Sequence, residues 1–171
     1  MKYFLGIVIL LMEVIGLISC EGTAQRMENG RPYILATTGM VADMIQHIVG
    51  DSATVEALMH AGVDPHLYKA SQGDLRKILD ADYLFYNGVH LEGKLAGILE
   101  KQARVKPVIA VGGGLKDLIK VGEGIYDPHI WFDVSLWKEA TAYATAQLAK
   151  LDSANRDYYQ ANASTYMRQL D

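Results

Sequence analysis

The stretch YILATTGMVADMIQHIVG, Tyr33 to Gly50, decides the fold. Its opening, Tyr33 to Thr37, is a short β-prone run. After Gly39 the apolar residues Val41, Met44, Ile45, Ile48 and Val49 return at helical spacing, so a strand leads directly into an amphipathic helix. The same alternation continues down the chain. Ala53 to Met59 reads as a second strand, and Ser71-Gln-Gly-Asp74 resembles a capping box opening a helix that carries Leu75, Ile78 and Leu79. Tyr83 to Tyr86 is a third strand. Leu91 to Ala103 places Leu91, Leu95, Ile98 and Leu99 on one helical face, and Pro107 to Val111 follows as a fully buried fourth strand. Short strand and helix units in alternation predict an α/β fold, a four-stranded parallel sheet with helices on both faces. Ser135 to Asp171 is rich in Ala, Leu, Gln, Lys and Tyr with few breakers. It predicts one long helix or two consecutive ones, capped by Asp133 and Ser135.

Upstream of this body the chain changes character. Lys2 gives a short positive start and Tyr3 to Ile18 is an almost unbroken apolar run, the composition of a secretory signal. It ends in Leu17-Ile18-Ser19-Cys20, which resembles the bacterial lipobox, where cleavage leaves the cysteine as an acylated N-terminus. Buried acyl methylenes at about 0.8 kcal/mol each give stable attachment without a spanning helix. An uncleaved membrane helix and a plain signal peptide are the alternatives. The run is short for ~30 Å of hydrocarbon, and Glu13 lies inside it, where a carboxylate is costly. Cys20 is the only cysteine in the chain, so no disulfide forms within it. Glu21 to Gly30 is polar and aperiodic, as suits a flexible tether.

A chain of 171 residues, half of them hydrophobic, has the material for one well-buried domain. The formal net charge is −4 and no Lys/Arg cluster occurs. Nucleic acid, whose binding needs a basic footprint, is therefore not an expected partner.

In open α/β sheets the site lies outside the carboxyl ends of the strands. Two tripeptides fall there: Asp64-Pro65-His66 after the second strand, and Asp127-Pro128-His129 after the fourth strand and its loop. Each proline fixes its own φ and pushes the preceding aspartate toward extended conformations, so each histidine is offered from a stiffened turn. Imidazole nitrogen suits zinc, manganese or iron, and a neighbouring carboxylate or carbonyl can fix the tautomer. Singly, either histidine is equally well explained as ordinary loop chemistry. Two copies at the expected sheet edge favour a metal site.

Asp64-Pro65-His66-Leu67-Tyr68, Tyr86-Asn87-Gly88-Val89-His90-Leu91-Glu92 and Asp127-Pro128-His129-Ile130-Trp131-Phe132-Asp133 stand in the order and approximate spacing of the zinc/manganese solute-binding family of ABC transporters, often called TroA-like. The resemblance runs from about Tyr33 to the C-terminus. It implies two α/β lobes joined by a long rigid helix, with the metal between them and His66 and His129 as the ligands of the N-terminal lobe. The other two ligands belong to a second lobe, for which this sequence has no counterpart. The expected organisation is a lipoprotein signal at 1–20, a tether at 21–30, the metal-binding lobe at 31–134 and a connecting helix at 135–171. The implied function is capture of zinc or manganese, without catalysis, for delivery to an ABC transporter membrane permease. The implied location is the cell membrane, where lipid on Cys20 anchors the protein facing the periplasm or the exterior. With the second lobe absent, Leu136, Ala140, Tyr143 and Leu148 are expected to leave apolar surface uncovered.

The other candidates read as structural. His47 lies opposite the apolar face of its helix and is expected to be exposed; His60 and His90 are loop residues, His90 beside the site but outside the ligand set. Gly112-Gly113-Gly114 lacks the following Lys-Ser/Thr of a phosphate cradle and reads as a flexible connection. Trp131 and Trp137 are assigned to packing. Two other functions compete with metal capture. A zinc hydrolase would need three protein ligands, an open position and a general base, and the sequence contains no HExxH. A surface lipoprotein or adhesin would need only the anchor.

Overall fold

The computed structural model describes residues 30–171; the apolar N-terminal run, Cys20 and the polar stretch as far as Asn29 lie outside the described residues. Strand β1 (Tyr33–Thr38) passes straight into helix α1 (Gly39–Val49), because the Thr38 hydroxyl accepts a hydrogen bond from the Val41 N–H and caps the first turn. Such a cap contributes about 1 kcal/mol. Then follow β2 (Thr54–Met59), α2 (Gln72–Asp80), β3 (Tyr83–Tyr86), α3 (Ala96–Gln102) and β4 (Val108–Ala110). The capping box at α2 forms as its sequence predicts. Ser71 accepts from the Asp74 N–H, and Asp74 accepts in return from the Ser71 N–H.

The four strands are parallel and ordered β2-β1-β3-β4. Alternation along β1 separates two apolar layers. Ile34 and Ala36 face a core shared with α1 and the C-terminal helices, whereas Leu35 faces Leu58, Ile78, Leu84, Leu95 and Leu99 on the other side. Helices therefore cover both faces. The direction of winding reverses beside β1, so the carboxyl ends of β1 and β3 flank the crevice in which such sheets place their sites.

Four features differ from expectation. The helix read from Leu91 starts only at Ala96; Leu91 and Leu95 are buried, but in the turns before it. Strand β4 is three residues long and half-buried, since it lies at the sheet edge with a partner on one side only. Leu79, placed on the apolar face of α2, is exposed. In the long connection after β4, an antiparallel pair, β5 (Lys120–Gly122) and β6 (Ile125–Tyr126), interrupts what reads as loop.

The C-terminal run forms two helices, α4 (Val134–Leu151) and α5 (Arg156–Gln169), joined by the turn at 152–155. Asp133 caps α4 by accepting from the Ser135 and Leu136 N–H groups, so Ser135 is inside the helix and not its cap. The expectation of an uncovered apolar face fails here. Leu136, Ala140 and Leu148 are buried within this same body, where α1 and α5 cover them, and Tyr143 is half-buried. Trp137 is buried as well, donating its indole N–H to the Tyr166 hydroxyl at 3.1 Å. Among the described residues no helix is long and apolar enough to cross a membrane.

Candidate metal centre

The two Asp-Pro-His tripeptides build the same turn. In each, the aspartate carboxylate reaches over the proline to accept the N–H of the histidine: His66 to Asp64 Oδ1 at 2.9 Å and His129 to Asp127 Oδ1 at 2.9 Å. This is the local bond that Asp makes two residues on, and it sets where each histidine leaves the turn. The β2–α2 connection carries His66, and the loop after β6 carries His129. Both lie beyond the carboxyl ends of the strands.

Sixty-three residues apart in sequence, the two rings meet. Their Nε2 atoms stand 3.4 Å apart and their centroids 5.4 Å apart. Asp127 Oδ1 also accepts the His129 ring Nδ1–H at 2.6 Å. A carboxylate only accepts, so Nδ1 carries a proton and Nε2 is the ring atom turned toward His66. The bonds from the His129 backbone and ring hold the Asp127 carboxyl below the usual carboxylate range. Trp131 packs edge-on against the His129 ring, with centroids 5.3 Å apart, and closes one side of it.

Two nitrogens, each about 2.1 Å from a tetrahedral zinc, stand about 3.4 Å from one another. The imidazole pair has the dimension of one edge of such a shell. Among the described residues no cluster of three or more His, Cys, Asp or Glu side chains is placed to hold a metal.

The remaining histidines lie elsewhere. His47 is exposed on α1 and stacks on Tyr166. His60 is exposed and lines a groove of about 570 Å³ with Pro65, Trp131 and Trp137. His90 opens onto a separate cavity of about 320 Å³ beside Tyr86 and Glu92. Gly112 to Gly114 form a tight 3-10 turn in place of the flexible connection expected. A Cβ on Gly112 would come within 2.8 Å of Val89 and 2.9 Å of the Asn87 carbonyl.

The sequence alone does not isolate three residues next to the site. Glu92 is 3% exposed and accepts from the Thr37 hydroxyl at 2.6 Å and from the Asn87 and Gly88 N–H groups at 2.7 and 3.1 Å. Burial pushes its carboxyl up, while these bonds pull it down. Asn87 in turn donates Nδ2–H to the carbonyl of Pro128, next to His129, at 2.9 Å. Asn87 and Glu92 are visible in sequence only as letters of a motif, and Thr37 only as the end of a strand.

The profile of the family ZnuA, the zinc-uptake complex component A periplasmic, matches residues 34–171. The chain belongs to the ZnuA family. It is 40% identical over 151 residues to the manganese-binding lipoprotein MntA of Bacillus subtilis, a match covering 86% of this chain and 49% of that protein. It is 34% identical over 152 residues to the zinc-binding protein TroA of Treponema pallidum, covering 88% and 49%. The solved structure of the periplasmic zinc-binding protein TroA from Treponema pallidum superposes with a TM-score of 0.80 at 35% identity, covering 83% of this chain and 52% of that one. The chain thus spans about half the length of these ZnuA-family relatives.

Proposed function

We propose that the chain captures a divalent transition metal, zinc or manganese, through Nε2 of His66 and Nε2 of His129 for delivery to an ABC transporter permease. One observation carries this reading: the 3.4 Å separation of the two Nε2 atoms, with the His129 tautomer set by Asp127. Zinc favours nitrogen-rich tetrahedral sites and manganese accepts more oxygen, so ligands beyond these two select between them. The ion is cargo and no catalytic step is assigned. Support also comes from the printed names of the relatives, a manganese-binding lipoprotein and a zinc-binding protein. Lipid on Cys20 would tether the lobe to the membrane beside the permease, with 1–20 as signal, 21–30 as tether and 31–134 as the metal-binding lobe.

Isothermal titration of the full chain with zinc and with manganese tests the ligand pair. His66→Ala and His129→Ala should each remove most of the affinity, because each deletes a nitrogen from the shell. Retention of wild-type affinity by either variant would exclude that residue as a ligand. Mass spectrometry of the membrane-extracted protein tests the anchor, and a chain without acyl groups on Cys20 would disprove it.

A further inference from the structure

We propose that Asn87 is a positioning residue for the metal site: latched by Glu92 and Thr37, its amide pins the Pro128 carbonyl and so aims the His129 ring at His66. The inference rests on the assignment of His129 as a ligand. The ring of Pro128 fixes φ there, which leaves ψ to decide where His129 begins. The Pro128–His129 peptide is planar, and it is clamped on both edges: Asn87 Nδ2 holds its oxygen at 2.9 Å, and Asp127 Oδ1 holds its N–H at 2.9 Å. Fixing that plane fixes the Cα–Cβ direction of His129.

Asn87 itself has no freedom. It is fully buried at the carboxyl end of β3, its N–H is held by Glu92, and its own carbonyl accepts the Gly112 N–H at 2.9 Å. Its second amide hydrogen goes to the Gly88 carbonyl at 3.0 Å. Because both neighbours of Nδ2 are carbonyl oxygens, the amide cannot turn over without setting oxygen against oxygen. Its Oδ1 is buried and has no partner. A position serving packing alone would be better filled by an apolar side chain without an orphaned acceptor, so the two donors account for an amide here.

The loop that follows is strained. Gly88, Val89 and His90 have φ of +81°, +53° and +64° in succession, and a β-branched residue in the left-handed region persists only where its surroundings over-determine it. The surroundings here are Glu92, which closes the loop by accepting from Asn87 and Gly88, and Thr37, which ties Glu92 to the end of β1. The latch spans the switch point of the sheet and converts its rigidity into the orientation of one imidazole. Partners bonded directly to a ligating ring typically change metal affinity 10–100-fold when removed, and Asn87, one bond further out, should reach the lower end of that range.

The test uses the full chain in detergent, zinc titration against a competing chelator, and long-range 1H–15N spectra of the histidine rings without metal. Asn87→Leu keeps the branching and the heavy-atom count of the side chain, in a larger volume, and removes both donors. It should weaken zinc binding by about 10-fold and move the metal-free His129 ring resonances while those of His47 stay in place, whereas general loosening of the fold moves both. Should Asn87→Leu fail to fold, Thr37→Val and Thr37→Ser decide: the valine variant should lose affinity and the serine variant, which keeps the hydroxyl, should retain it. Wild-type zinc affinity in His129→Ala would overturn the ligand assignment itself. Loss of affinity in His129→Ala, with unchanged affinity and unchanged His129 resonances in folded Asn87→Leu and Thr37→Val, would overturn the positioning role alone.

Discussion

Asp127 grips His129 twice, taking its backbone N–H at 2.9 Å and its ring Nδ1–H at 2.6 Å with the same oxygen. Asp64 takes the backbone N–H of His66 in the same way. The two halves of the candidate site thus share a turn and differ in how the ring is held. Asp127→Asn makes that difference measurable. The amide oxygen can still accept both bonds, but as a neutral and weaker acceptor it holds the ring less firmly and leaves Nε2 a poorer donor to the metal. Zinc affinity should fall by about 10–100-fold, as when the outer partner of a ligating histidine is lost. Asp64→Asn should cost less. Equal losses in the two variants, by isothermal titration, would show that ring orientation by Asp127 is not what matters.

His47 is the internal control. It lies on α1 with its ring stacked on Tyr166 of α5, centroids 4.5 Å apart and planes at 27°. His47→Ala should leave zinc binding unchanged. It should lower the stability measured in urea by about 0.5–1.5 kcal/mol, the range for a ring pair beyond its area burial. A change in zinc affinity on this substitution would place His47 in the site.

What could be read from the sequence, and what could not, follows from the range over which each signal acts. The Asp-Pro-His turns are legible because the proline and the aspartate bond act within three residues, and the strand–helix alternation says at which sheet edge they emerge. Helix α1 is legible because all five of its predicted apolar residues are buried. The start of α3 is not, since Leu91 and Leu95 keep helical spacing while left-handed backbone at Gly88, Val89 and His90 holds them in turns. The contact of Thr37 with Glu92 joins residues 55 apart, and no periodicity encodes it. The β5–β6 hairpin escapes notice because Val121 and Ile125 are exposed and lack the alternation of a half-buried strand. The apolar face of α4 was legible as apolar; that α1 and α5 would cover it required the tertiary fold.

Glycine in this chain serves close approach at one position and nothing visible at another. At Gly112 an added Cβ would lie 2.8 Å from Val89 Cγ2 and 2.9 Å from the Asn87 oxygen, whereas at Gly97 in α3 nothing lies within 4 Å. Gly112→Ala should destabilise by about 1–3 kcal/mol, as overpacking does, and should weaken zinc binding, since the atoms displaced belong to the loop behind His129. Gly97→Ala should stabilise by roughly 0.5–1 kcal/mol through a lower entropy cost in a helix. An unchanged or raised denaturant midpoint in Gly112→Ala would contradict the packing assigned to Gly112, and a lowered one in Gly97→Ala would contradict the helix argument.

Asp152, in the turn between α4 and α5, supplies a pH dependence whose sign can be worked out. Burial alone would raise its pKa, but hydrogen bonds to Oδ2 from Asn155 at 2.8 Å and from the Tyr159 hydroxyl at 2.7 Å outweigh burial and lower it. A carboxyl whose folded pKa lies below its unfolded value binds fewer protons in the native state. Its contribution to stability is therefore full above the unfolded pKa, near 3.8, and is lost as pH falls through the folded one. Asp152→Asn removes the titration and leaves the turn its size. The stability difference between wild type and Asp152→Asn should be constant from pH 7 to about 5 and should shrink below about 4. Tyr159→Phe deletes one of the donors, so the carboxyl should titrate closer to its unfolded value and the difference should narrow. Chemical denaturation of the three chains at pH 7, 5, 4 and 3 measures both effects. A difference that grows on acidification would mean that burial, and not the hydrogen bonds from α5, governs this carboxylate and that the turn is held together some other way.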